Sequence, residues 1–196
     1  MAWEQYAEAA RKLGANPFYG VLEPFLPAPG HVLELGFGVG TGVKWWLERG
    51  WRVTGVDEDA QMVAETRGLL APDDRCDLIH ADYMSAPWPD DLDVISAVFS
   101  LFFIPPGQFS EVWNRIEQKL RPNGLFVGQL LGPNDDWSSD QTTSHSSEEV
   151  DDLVSGWEVL HREEVNRDGK TVFGEPKHWH IHHLILRRAE EVDHSV

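Results

Sequence analysis

The chain has 196 residues, enough for one compact domain that needs no disulfide or metal staples to hold its core. Its 33 acidic and 16 basic residues leave a net charge of −17 with histidine neutral. Such a surface repels phosphate backbones and anionic lipid, which argues against nucleic acid and membrane as partners.

A single cysteine, Cys76, cannot close an internal disulfide and fits a reducing cytoplasm. No basic segment followed by an apolar run opens the chain, and no stretch approaches about 18 consecutive apolar residues, so the expected location is cytoplasmic. Nine tryptophans are read mainly as packing residues.

In chain order, Tyr6, Ala9, Ala10 and Leu13 recur at helical spacing until Gly14, and residues 19–25 predict a second short helix before a Pro-rich break. Residues 1–29 thus form a helical cap. Residues 31–35 predict a buried strand, residues 41–49 a helix stopped by Gly50, and residues 51–56 a second strand. Asp57 or Asp59 can cap the next helix, which runs to Leu70, and residues 76–80 predict a third strand.

Residues 92–99 predict a fourth strand. Pro105 and Pro106 open a helix through Leu120, Arg121-Pro122-Asn123-Gly124 reads as a stop and tight turn, and residues 125–131 predict a fifth strand. Ser146 and Glu149 have capping-box spacing for a helix ending at Gly156. Two final strands, residues 157–165 and 178–186, are expected to meet at a hairpin turn over Asn166-Arg167-Asp168-Gly169. Residues 1–189 read as one α/β domain, and 190–196 as a frayed tail. Strands alternating with helices imply a mostly parallel sheet with helices on both faces, an antiparallel C-terminal strand, and a ligand site at the carboxyl ends of the strands.

The first strand runs into Glu34-Leu35-Gly36-Phe37-Gly38-Val39-Gly40-Thr41-Gly42 and then a helix. Glycines permit a sharp turn and close approach of a ligand, and the helix N-terminus offers unpaired N–H groups. A dinucleotide loop would need glycine where Thr41 stands, and a nucleotide-hydrolase loop would end in Gly-Lys-Ser/Thr. Neither fits, which counts against a nicotinamide oxidoreductase.

Glu34, Gly36, Gly38 and Gly40 instead resemble motif I of the class I S-adenosylmethionine-dependent methyltransferases. That resemblance implies their Rossmann-like fold, S-adenosylmethionine as cofactor, and in-line methyl transfer to a small-molecule acceptor. It implies that the loop faces the methionine end and that Glu34 helps hold the ammonium group. Asp57, about 20 residues beyond Gly36, would take the ribose hydroxyls, with Glu58 as an assistant. Asp82 would meet the adenine amino group, Tyr83 the ring, and Phe99 the adenosyl flank. A non-catalytic S-adenosylmethionine-binding sensor or partner subunit is the alternative.

Gly132-Pro133-Asn134-Asp135-Asp136-Trp137 and His178-Trp179-His180 are similar to a narrower group, the tellurite-resistance-like methyltransferases. Trp137, His178 and His180 are accordingly candidates for the acceptor pocket. Trp3, Tyr6 and Trp137 are candidates for an aromatic lid, and residues 134–149 for a gate. His178, His180 and His182 share one strand face, but they span about 13 Å and cannot meet at one ion, so no metal is expected there.

Overall fold

The computed structural model describes residues 3–190, with side chains described from Ala7 onward. The expected frayed tail, apart from Glu190, and the expected lid side chains of Trp3 and Tyr6 therefore lie outside the described residues.

Seven strands form one sheet: β1 (His31–Leu35), β2 (Arg52–Asp57), β3 (Cys76–His80), β4 (Leu92–Ala97), β5 (Leu120–Leu131), β6 (Trp157–Lys170) and β7 (Pro176–Arg188). Their order is β3-β2-β1-β4-β5-β7-β6, with the first five parallel and β7 antiparallel to both neighbours. Among the described residues six α-helices accompany them: α1 (Trp3–Leu13), α2 (Phe18–Leu22), α3 (Thr41–Glu48), α4 (Ala60–Leu69), α5 (Pro106–Lys119) and α6 (Ser147–Leu153). The winding reverses between β1 and β4, which is where open α/β sheets form a crevice at the strands' carboxyl ends.

Burial on both faces explains the nearly unbroken apolar runs of β1 and β4. One face packs Leu33, Leu35 and Ile95 against Phe109, Val112, Trp113 and Ile116 of α5 and Val150 of α6. The other packs Val32, Val53 and Val94 against Phe18, Tyr19 and Leu22 of α2 and Val43 and Trp46 of α3. Trp46 and Trp51 are fully buried and meet edge-on at 5.1 Å.

Three boundaries differ from the sequence expectation. The hairpin turn is not at Asn166–Gly169: β6 continues to Lys170, and the chain reverses through Thr171 to Gly174, where Gly174 has φ 79°. The polar residues mistaken for a turn are held in strand geometry, because Asn166 and Asp168 each bond a ring nitrogen of His178 across the hairpin. The fourth strand stops at Ala97, since Gln129 Oε1 accepts from the Phe99 amide and the Ser100 hydroxyl donates to the Leu35 carbonyl. The expected turn at 121–124 survives as a bulge at the start of β5, with Asn123 at φ 63°.

A buried clasp fastens the loop after β5 to β7. Lys177 donates to Asp135 in an ion pair whose side chains are 3% and 0% exposed. The ammonium sits 4.3 Å from the Trp137 ring centre and 4.0 Å from that of Trp179. Asp135 also accepts from the amides of Trp137 and His180. A Cβ on Gly132 would collide with the His180 ring, so only glycine lets the two segments close. Lys177→Met should lower unfolding free energy by about 3–5 kcal/mol, because it strands the Asp135 charge in the interior. Urea denaturation at pH 7 measures this, and wild-type stability in the variant would show that the pair carries no such burden.

Candidate functional site

The carboxyl ends of β1, β2 and β4 converge on residues 36–40. This loop is pinned from several sides. The Gly36 amide bonds the Val56 carbonyl at 2.8 Å, and the Gly38 amide bonds Asp57 Oδ2 at 2.7 Å. The Thr66 hydroxyl of α4 bonds the Gly38 carbonyl, and the Gly40 amide bonds the Phe37 carbonyl.

Gly36, Gly38 and Gly40 all have positive φ, at 68°, 50° and 78°. Their surroundings differ. A side chain at Gly36 would strike Tyr83 and Ser100, and one at Gly40 would strike Thr66. Gly38 has nothing within 4 Å of where a Cβ would stand, so at that residue the loop presents bare backbone to open space. No side chain caps α3, which leaves its first-turn N–H groups directed out of the helix beside the loop.

Glu34 lies beneath the loop and is 4% exposed. Its Oε1 accepts from the Tyr19 hydroxyl at 2.5 Å and its Oε2 from the Trp46 indole at 2.8 Å. Burial raises its pKa to about 7 against the downward pull of Tyr19, Ser96 and Trp46. Both oxygens thus face protein donors, and Glu34 acts here as an anchor joining α2 and α3 to β1. Its partner Tyr19 is pushed well above the usual phenol range, first by burial and then by the Glu34 charge.

Asp57 ends β2 and is 7% exposed. Each oxygen accepts one backbone N–H, from Gly38 and from Asp59, which leaves each a second lone pair. Burial raises its pKa, opposed by those two amides. Asp59, not Asp57, caps α4, by accepting from Gln61 and Met62. Glu58 is exposed and, with Asp82, Tyr83, Met84, Phe103 and Ile104, lines a slot of about 80 Å³. Asp82 accepts from the Met84 and Ser85 amides and the Ser85 hydroxyl, which hold its pKa down. Burial pushes the Tyr83 phenol above its ordinary value.

Beyond β4, Phe99 takes φ 57°, a strained backbone for a bulky residue, held by Gln129. Phe99 meets Phe102 and Trp179 edge-on at 6.2 Å, and Trp137 lies 5.3 Å from Trp179. These rings form a shelf with Phe103 and Trp137 exposed. His178 and His180 do not join it as free side chains. His178 is engaged at both nitrogens by Asp168 and Asn166, and His180 by the Asn134 amide and Glu164.

Sequence reasoning missed His183 and Gln129. His183 points to the opposite face from His182, with ring centres 5.1 Å from Phe18 and 6.3 Å from Phe99. Gln129 Oε1 is committed to Phe99, so its NH2 faces His183 Nδ1 at 3.4 Å. Burial lowers the His183 pKa and keeps the ring neutral near pH 7. The available signal was the doublet His182-His183, since adjacent strand residues must face opposite sides.

Among known proteins, a methyltransferase-domain family model matches residues 32–124. An uncharacterized methyltransferase of Geobacillus kaustophilus is 29% identical over 97 residues, 49% of this chain and 44% of that one. Carboxy-S-adenosyl-L-methionine synthase of Pseudomonas putida is 33% identical over 121 residues, 55% of this chain and 48% of that one. The chain therefore spans about half the length of the curated relatives it matches. A solved structure of Burkholderia thailandensis 1,6-didemethyltoxoflavin-N1-methyltransferase, with its acceptor and S-adenosylhomocysteine bound, superposes with TM-score 0.68 at 19% identity. That match covers 97% of this chain and 92% of the other.

Glu34→Gln tests the anchor through pH. Folding raises this carboxyl from 4.5 to about 7, so its contribution is full below pH 4.5 and is lost as pH rises through 7. Wild-type stability should therefore fall relative to the variant between pH 5 and 8, by up to about 3 kcal/mol. Parallel pH profiles from chemical unfolding would show that Glu34 is not buried as described.

Proposed function

We propose that the chain, whose residues 32–124 match a methyltransferase-domain family model, is a class I S-adenosylmethionine-dependent methyltransferase that binds S-adenosylmethionine across the Gly36–Gly40 loop and passes its methyl group to a small-molecule acceptor. The open face of Gly38, with the Asp57 carboxylate fixed beside it, carries this reading. The residues fit the cofactor. Asp57 retains lone pairs for ribose hydroxyls, with Glu58 next to it on the rim. The uncapped start of α3 suits a carboxylate, and the slot between Asp82, Tyr83 and Ile104 suits an adenine edge.

When bound, the sulfonium supplies an electrophilic methyl group with a good leaving group. The chain's own task is then alignment and exclusion of water. Phe99 and Trp179, part-exposed, with the exposed Phe103 and Trp137, offer an aromatic surface backed by buried Phe102, which supports a flat or apolar acceptor. The structurally similar Burkholderia enzyme holds 1,6-didemethyltoxoflavin, a small molecule, together with S-adenosylhomocysteine. His183 receives the Gln129 amide on Nδ1, so its proton sits on Nε2 and the ring is a donor there. That favours an acceptor with a hydrogen-bond-accepting group that needs no proton removed.

The acidic surface supports a partner other than nucleic acid. Among the described residues no helix is long and apolar enough to cross a membrane. A free, half-buried Cys76 supports a cytoplasmic location.

Calorimetric titration with S-adenosylhomocysteine should show one site. Gly38→Val should abolish it by filling the open face, and Asp57→Ala should weaken it by about 1–3 kcal/mol. Unchanged affinity in a folded Gly38→Val protein would place the ligand elsewhere. Labelled S-adenosylmethionine offered with thiol, amine, hydroxyl and chalcogen acceptors tests turnover. Binding without transfer to any of them would favour a sensor.

A further inference from the structure

A second cluster of chemistry-bearing side chains lies away from the glycine loop, on the sheet face covered by α6. There Glu164 of β6 stands directly across from His182 of β7, and His180 lies two residues before His182 on the same face. One ligand atom from each of the three comes within 4.8 Å of the others. His180 Nε2 is 2.8 Å from Glu164 Oε1, and His182 Nδ1 is 4.0 Å from Glu164 Oε2.

His182 supplies the decisive observation. Its side chain is completely buried, and its Nε2 donates to the His145 carbonyl at 3.1 Å. The proton is therefore on Nε2, and Nδ1 is a bare lone pair. That nitrogen has no hydrogen-bond partner and faces a carboxylate oxygen, so two acceptors oppose each other across a gap. A cation between them would satisfy the lone pair and the anion together.

We infer that Glu164, His180 and His182 form a divalent transition-metal site of the zinc class, separate from the glycine loop. Two neutral imidazoles and a carboxylate are a donor set such ions take, at bond lengths of about 2.0–2.2 Å. Tetrahedral ligands then stand about 3.4 Å apart, against at most 4.8 Å here, so small side-chain rotations close the set, the largest open to Glu164 as the most exposed of the three. The span that excludes three histidines of one strand does not apply, because the third ligand comes from the neighbouring strand.

The surroundings are mixed in charge. Glu149 and His145 lie on the α6 side, and Arg162 is held back by Asp151 and the Ser147 carbonyl. The Ser147 hydroxyl already donates to Glu164 Oε2 and orients it. Metal at His180 Nε2 moves that ring's proton to Nδ1 and gives up the 3.2 Å contact with the Asn134 amide. Occupancy is thereby coupled to the loop that carries Asp135 and Trp137.

Zinc chloride titrated into the chelator-treated chain should bind at one tight site. Cobalt(II) should give the visible d–d absorption of a low-coordinate site with nitrogen ligands. Glu164→Ala, at an exposed position that tolerates substitution, should weaken zinc at least tenfold, and His182→Ala should do the same if folded. His178→Ala should leave affinity unchanged. Absence of binding at 1 mM zinc, or zinc affinity equal in wild type and Glu164→Ala, would overturn the site.

Discussion

Glu34 takes one hydrogen bond from the Tyr19 hydroxyl and one from the Trp46 indole, and so draws α2 and α3 onto the end of β1 from the same sheet face. Ser96 of β4 joins the group through Tyr19 at 3.3 Å. A carboxyl removed from water is costly unless each oxygen is satisfied, and here both are. The loop that leaves β1 two residues later therefore starts from a fixed point. Asp57 and Thr66 then fix its middle, so that Gly38 can face open space without the loop collapsing into it.

That constraint divides labour among the glycines. Gly36 and Gly40 are needed because protein packs against them, whereas at Gly38 only the positive φ demands glycine and the space beside it stays open. The acids divide in the same way. Glu34 serves the interior, Asp57 faces both inward and outward, and Asp82 holds its own turn together while lining the slot. One motif thus mixes residues packed against protein with residues that border open space, and the three-dimensional arrangement separates them.

Much of this was legible because it is local. Glycine spacing, the strand–loop–helix order and the acid at the end of β2 are read within about 30 residues. The capping box at Ser146 and Glu149 formed as spaced. What escaped depends on partners distant in sequence. Asn166 and Asp168 look like turn residues until His178 is placed opposite them. Phe99 reads as strand until Gln129, 30 residues on, holds its amide. The Gly132–Trp137 segment and the final histidine-rich strand were separate signals, yet they are two halves of one clasp closed by Asp135 and Lys177. His183 was passed over because its neighbours at 178 and 180 drew attention to the other face.

We propose that the bare face of Gly38 and the second lone pairs of Asp57 receive the methyl donor. A crystal structure with S-adenosylhomocysteine tests it most directly. The expected result is the homocysteine portion lying over Gly38, ribose hydroxyls on Asp57 and the base in the slot beside Asp82. Density for the ligand anywhere else, with the Gly38 face still open to solvent, would contradict it.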